Sequence, residues 1–185
     1  AVYGSMALAG IGVAMKITMI TNTVSLGLAQ GVQPLLGYCV GAGRWERYKE
    51  IMKISLVYAT GLSVLLTGLS YLFLTELIWV FLTDAEAFAY GIGFSKILLS
   101  TSFLFGIFFV LLSALQAMGA ARPSWIVNVS RQGFIYVPAL FLLQTVFGAN
   151  GLVWAQPTAD ILSLLLTVLL YRTEYLRRKI AMKLV

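Results

Sequence analysis

Between residues 132 and 159 the chain carries no charged side chain, and the same holds over 17–43, 54–75 and 97–121. A bilayer core is about 30 Å thick, and a helix needs about 20 apolar residues to cross it. A backbone in hydrocarbon must satisfy its own polar groups, so only helices or closed barrels span. Runs of this length exceed a barrel strand and fit helices. They predict an all-α integral membrane protein with spans near 14–37, 50–74, 92–118, 123–147 and 150–171. Gly148, Asn150 and Gly151 split the longest run into the last two of these. Only Asp160 interrupts the final span. Residues 1–13 are apolar but too short to span, and Gly4, Gly10 and Gly12 loosen them. They read as the end of a preceding helix plus a linker, and residues 172–185 as a basic tail.

Composition closes off the rivals. Hydrophobic residues make up 60% of the 185 positions and charged residues 11%, against roughly 25% charged in soluble domains. An ordinary soluble enzyme, a disordered chain and a disulfide scaffold are excluded. The single Cys39 allows no internal disulfide, and the absence of His excludes His-based zinc sites, Ser-His triads and His proton relays. No phosphate-loop motif is present. Nothing calls for a cofactor. The chain opens on Ala1, inside an apolar stretch with no basic residues ahead of it. It reads as a fragment of a longer polypeptide, without the pattern of a signal peptide.

The net charge of +6 would suggest nucleic acid in a soluble protein. Here the cations sit at the ends of apolar runs, so no nucleic-acid partner is expected. The 41–53 loop carries Arg44, Arg47, Lys49 and Lys53, the third connection carries Arg122, and the tail carries Arg172, Arg177, Arg178, Lys179 and Lys183. The 75–90 connection carries Glu76, Asp84 and Glu86 and no cation. The positive-inside rule places the basic loops and the C-terminus in the cytoplasm and the acidic connection outside. Every loop then fits one alternating multi-pass topology in a plasma or inner membrane. Within 75–90, residues 77–90 read either as an interfacial helix carrying Trp79, Phe81 and Phe88, or as a long end of a neighbouring helix.

Asp160 is the most informative residue. A carboxylate at mid-helix costs roughly 2.5–3.5 kcal/mol to insert and normally faces a bundle interior or a water-filled cavity. It reads as a coupling-ion, proton or substrate site, or as a structural ion pair. Pro157 removes a backbone N–H one turn earlier, and Gln156 offers an amide to the freed carbonyls. Arg131 lies about 12 Å inside the cytoplasmic end and roughly 9 Å from Asp160 in depth. It can pair with Asp160 or snorkel to the interface. Gln30, Gln33 and Pro34 place two amides and a proline inside the first span. Asn22 adds to a polar face with Thr18, Thr21, Thr23 and Ser25, and Ser100, Thr101 and Ser102 do the same in the third span. These faces either line an aqueous path or hydrogen-bond between helices. Pro34, Pro138 and Pro157 fit a bundle that bends, or static kinks. Gly27/Gly31 and Gly37/Gly41 read as close-packing sites. Lys16 and Lys96 read as anchors near the outer ends of their spans. Phe103, Phe105, Phe108 and Phe109 could stack on a flat cationic ligand or face lipid.

Three stretches together resemble one family. Residues 26–43, LGLAQGVQPLLGYCVGAG, followed by RWERYKE at 44–50, resemble the second helix of the C-terminal lobe of multidrug and toxic compound extrusion (MATE) transporters. QAMGAARPSW at 116–125, with Arg131, Gln132 and Pro138, resembles the fifth helix of that lobe and its preceding loop. GANGLVWAQPTAD at 148–160 resembles the start of the last. The resemblance implies five of the six helices of one lobe in a twelve-helix, two-lobe transporter. It implies a missing N-terminal lobe on the same polypeptide, membrane lipid around it, and export of small organic cations in exchange for H⁺ or Na⁺. Gln33, Pro34, Gly37, Tyr38, Arg131, Pro157 and Asp160 fall on the family pattern. Cys39 stands where the family often has Asn. The family's usual coupling carboxylates lie mostly on helices outside this chain, which leaves the coupling ion open.

Other readings remain. A lipid-linked sugar flippase shares the two-lobe architecture but often lines its cavity with several basic residues, for which Arg131 is the strong candidate. A structural or assembly protein needs no polar groups at midplane. An intramembrane enzyme lacks an evident nucleophile and base.

Overall fold

The computed structural model describes residues 4–181. Residues 1–3 of the expected N-terminal stub and Lys183 of the expected tail lie outside them. The described chain is helical: α1 (Gly4–Gly41), α2 (Trp45–Leu72), α3 (Leu74–Trp79), α4 (Ala85–Leu99), α5 (Phe105–Ala117), α6 (Ala121–Val129) and α7 (Tyr136–Ala181). Five stretches are long and apolar enough to cross a membrane: Gly4–Gly41, Trp45–Leu72, Ala85–Ala117, Ala121–Gly148 and Gly151–Ile180. All-helical architecture with five such stretches agrees with the sequence reading.

Three boundaries differ from that reading. Residues 4–13 belong to the first span itself, since α1 is unbroken from Gly4 to Gly41. Its buried face continues through Ala7, Gly10, Val13 and Ile17, so the packing partner of the span also holds its first turns. The third span begins at Ala85, because the Asp84 carboxylate accepts from the Glu86 and Ala87 amides at 2.9 and 3.2 Å and caps a new helix there. That cap divides residues 77–90 between α3, a short break and the first turns of α4, so they form no single interfacial helix. The final helix runs to Ala181, past the expected end at 171.

α7 is a hairpin, not a rod. Gly148 sits at φ 59°, ψ −133°, which only glycine adopts readily, and the chain reverses there. A Cβ on Gly151 would run into the Leu143 carbonyl, so the two arms touch immediately beyond the turn. At its centre the bundle is built on α5, buried nearly all round, with Phe105, Phe108, Phe109 and Leu111–Leu115 in the core. α1, α2 and the second arm of α7 pack around it. Gly106 lies against the Ala59 carbonyl and the Ser63 hydroxyl of α2, and Gly10 lies against Tyr90 and Gly91 of α4. These are the close helix approaches. Gly27, Gly31 and Gly41 face open space, and Gly37 makes one ordinary contact with Ala117. The glycine pairs of the first span are therefore not the packing sites in this bundle.

Candidate functional site

The third span is interrupted in its middle. Ser100 and Thr101 form a turn, and residues 102–104 a single 3₁₀ turn, between α4 and α5. Hydroxyls offer the backbone an alternative to helical bonding, and here they bond carbonyls of the turn that precedes the break. Ser100 Oγ donates to the Ile97 carbonyl at 2.6 Å, Ser102 Oγ to that of Leu98 at 3.2 Å, and Tyr71 of α2 donates its OH to that of Lys96 at 2.7 Å.

The fourth span is irregular at a matching place. Ser130–Phe134 form a π-helical turn, closed by the Ile135 amide on the Ser130 carbonyl at 2.8 Å. Pro138 has no N–H for the Phe134 carbonyl, and its ring crowds that carbonyl. Widening the preceding turn relieves both problems. Pro157 lies within the fifth span, one turn before Asp160, in a stretch that stays helical.

The two irregularities and Pro157 meet around one ion pair. Arg131, inside the π turn, donates from Nε to Asp160 Oδ1 at 3.0 Å, with side chains only 9% and 4% exposed. Gln156 Nε2 donates to the same oxygen at 3.3 Å. Thr101, at the break of the third span, faces the carboxylate. The guanidinium carbon of Arg131 lies 4.8 Å from the Phe108 ring centre, 5.1 Å from Phe105 and 5.5 Å from Phe109. Three rings and a carboxylate form a complete recognition set for a delocalised cation, and the cation they hold is the chain's own. A straight helix from residue 131 to 160 would put the two charges about 43 Å apart. The reversal at Gly148 is what lets them meet.

Arg131, Asp160 and Gln156 thus come together as one cluster, with Pro138 and Pro157 beside it. Pairing, not snorkelling, is what Arg131 does. Pro34 lies inside an uninterrupted α1. Asn22 and Gln33 on that helix are half-buried and Gln30 is exposed, and none joins the cluster. On the polar face of the first span, Ser25 bonds between helices, its hydroxyl 2.8 Å from that of Ser63, whereas Thr18 donates to the Met15 carbonyl of its own helix at 3.0 Å. Lys16 rests over the Phe81 ring at 5.2 Å, and Lys96 is exposed. Sequence reasoning missed the role of Thr101 and the destination of the phenylalanines. The spacing of Phe105, Phe108 and Phe109 at one helical face was the available signal. Among the described residues no group of three His, Cys, Asp or Glu could hold a metal ion.

A family model described as MatE matches residues 1–142. The chain belongs to the MatE family. The match contains Arg131 and ends before Asp160. Curated relatives include the multidrug export protein MepA of Staphylococcus saprophyticus, 29% identical over 91% of this chain and 37% of its own length. MepA of Staphylococcus aureus (strain NCTC 8325) is 27% identical over the same shares. This MatE chain therefore spans little more than a third of those relatives. The fold is that of the Vibrio cholerae MATE transporter VcmN in its bent form. The two superpose with a TM-score of 0.86 at 18% identity, over 96% of this chain and 41% of VcmN. Family and helices together make this a multi-pass membrane protein.

Proposed function

We propose that this MatE chain forms most of one six-helix lobe of a two-lobe secondary transporter that exports small organic cations by antiport with H⁺ or Na⁺. The observation that carries the reading is the buried Asp160–Arg131 pair at the meeting point of two helix irregularities, one turn after Pro157. Broken helices and buried charges at mid-membrane are how transporters build sites that change between two states. The MepA relatives, named as multidrug export proteins, support the drug class. Asp160 is an oxygen donor that can trade Arg131 for a proton or a Na⁺ ion. Release of Arg131 from the carboxylate would free the π turn to rewind against the fifth span. Gln30, exposed on a membrane helix, needs polar surroundings, and a cavity shared with a second, N-terminal lobe supplies them. A sugar-lipid flippase would need basic side chains open to that cavity, whereas Arg131 turns inward onto Asp160.

Cells expressing the full-length polypeptide should accumulate less of a fluorescent lipophilic cation than cells lacking it. A protonophore should abolish the difference if H⁺ is the coupling ion, and Na⁺ removal if it is Na⁺. Equal accumulation with and without the protein would overturn the reading. The 185-residue chain expressed alone should give no efflux, since a cavity between lobes cannot form from one incomplete lobe.

The same reading puts the basic end in the cytoplasm. In a Cys39→Ser background, Arg44→Cys should resist an impermeant thiol reagent in intact cells and Glu86→Cys should react. Reaction at both positions would remove this orientation.

A further inference from the structure

Among the described residues, all the cations outside the Asp160 site except Lys16 and Lys96 belong to the loops and helix ends on one side of the bundle, and packing draws several of them onto a single rim. In the first turn of α2, Trp45 packs edge-on against Tyr175 of α7 at 5.5 Å and Tyr48 stacks on it at 6.0 Å, and the Tyr48 and Tyr171 hydroxyls are 3.4 Å apart. This brings Arg44 and Arg47 beside the last turns of α7. The turn between α5 and α6 joins them, since a Cβ on Gly119 would lie 3.8 Å from Arg178 Nη2. Arg122 follows that turn, in the first turn of α6.

Most of the acid at this end is already used. Glu46 pairs with Lys49 at 2.8 Å, and the buried Glu174 pairs with Arg178 at 3.2 Å and Arg177 at 3.8 Å. Arg44, Arg47, Lys53, Arg122 and Arg172 are exposed and have no acidic partner among the described residues, and only Glu50 stands unpaired near them. Two of these cations are placed against the helix dipole. Arg44 is the N-cap of α2, and Arg122 is the second residue of α6, whose N-cap is Ala120. Neither cap supplies a side-chain acceptor; the Trp45 and Ala121 amides bond the Gly43 and Gly119 carbonyls and Pro123 has no N–H, so the Glu46 and Arg47 amides of α2 and the Arg122 amide of α6 stay open. A cation at an uncapped N-terminus is unfavourable alone and favourable once an anion sits there.

The occupant must also match what lies beside the cations. Val57 follows Lys53 by one turn, Leu169 precedes Arg172, and Trp125 follows Arg122 and is 63% exposed. Apolar surface thus begins where the charge stops. A free phosphate or nucleotide has nothing to place there, whereas a phospholipid places its acyl chains. The opposite end of the bundle has three exposed acids, Glu76, Asp84 and Glu86, against two exposed cations, Lys96 and Lys16, the latter resting over the Phe81 ring.

We infer that this rim binds anionic phospholipid headgroups of one leaflet, with phosphates on Arg44, Arg47 and Arg122 and the open amides of α2 and α6. Selectivity for negative headgroups comes from the unpaired cations, at roughly fivefold in affinity for each. The inference does not depend on what is transported.

The test uses the purified full-length polypeptide in detergent and reads lipid binding by native mass spectrometry. Dioleoyl phosphatidylglycerol should bind at least about tenfold tighter than dioleoyl phosphatidylcholine. The triple variant Arg44→Gln/Arg47→Gln/Arg122→Gln should lose roughly 100-fold in phosphatidylglycerol affinity and leave phosphatidylcholine unchanged. Lys16→Gln/Lys96→Gln, at the other end, should keep the preference. Equal binding of the two lipids by the unmodified protein overturns the inference, as does a triple variant that retains the full preference. Displacement of phosphatidylglycerol by millimolar inorganic phosphate overturns it too, since it would reveal a simple anion site.

Discussion

Asp160→Asn in the full-length polypeptide should reduce efflux to the background of cells lacking the protein, and should lower its thermal stability in detergent. Both effects follow from one atom. Oδ1 of Asp160 accepts from Arg131 and from Gln156. An amide can still accept a hydrogen bond, but it cannot neutralise a guanidinium that is 9% exposed. Breaking a buried pair by removing one partner costs about 3–5 kcal/mol, because the other charge stays behind. A loss of that size cuts cellular abundance several-fold. Adding Arg131→Gln removes the stranded charge, and most of the lost stability should return. Efflux should not return with it, since the double variant still has no carboxylate to exchange. Efflux restored in the double variant would show Asp160 to be structural only. Normal efflux and normal melting in the single variant would remove both roles.

Gly106→Leu should abolish assembly of the bundle, and Gly106→Ala should already be severe. Even a Cβ at this position would fall inside contact distance of the Ala59 backbone carbonyl, and 2.7 Å from Ser63 Oγ. Backbone cannot give way as a flexible side-chain end can. Overpacking of a tight core usually costs about 1–3 kcal/mol, and pushing α2 away from α5 would also break the Ser25–Ser63 contact. The comparison is Gly27→Ala, where the added methyl meets open space. Relief of glycine's backbone entropy should make that change neutral, or stabilising by up to about 1 kcal/mol. Melting temperatures of the two alanine variants measure the difference directly. Equal values would mean that α2 and α5 do not meet at Gly106.

Much of the architecture follows from quantities that belong to single segments. Hydrocarbon tolerates a charge poorly wherever the helix is turned. The charge-free intervals therefore determined that there are five spans, and the sign of each loop determined which ends lie together. Residues 4–13 were harder to place, because ten apolar residues have the same composition as a linker or as an extension of a helix. Only the buried stripe from Ala7 to Ile17 decides that they extend α1. The break at Ser100–Leu104 was visible as a polar triplet, but whether hydroxyls bond between helices or unwind their own helix depends on neighbouring carbonyls.

The site itself divides in the same way. That Asp160 must turn away from lipid, toward the bundle interior or a water-filled cavity, is a statement about one residue in hydrocarbon, and the sequence alone determined it. That the partner is Arg131, and that Phe105, Phe108 and Phe109 close over it, was decided by the tertiary structure. Pairing depends on the relative rotation and depth of three helices. Those are set by a π turn ahead of Pro138, a reversal at Gly148 and a glycine contact at Gly106, none of which has a signature in local hydrophobicity. The same reason explains the glycines. Spacing marks Gly27 and Gly31 as readily as any close pair, but only the direction in which a helix faces its neighbour decides which missing Cβ lets two backbones touch.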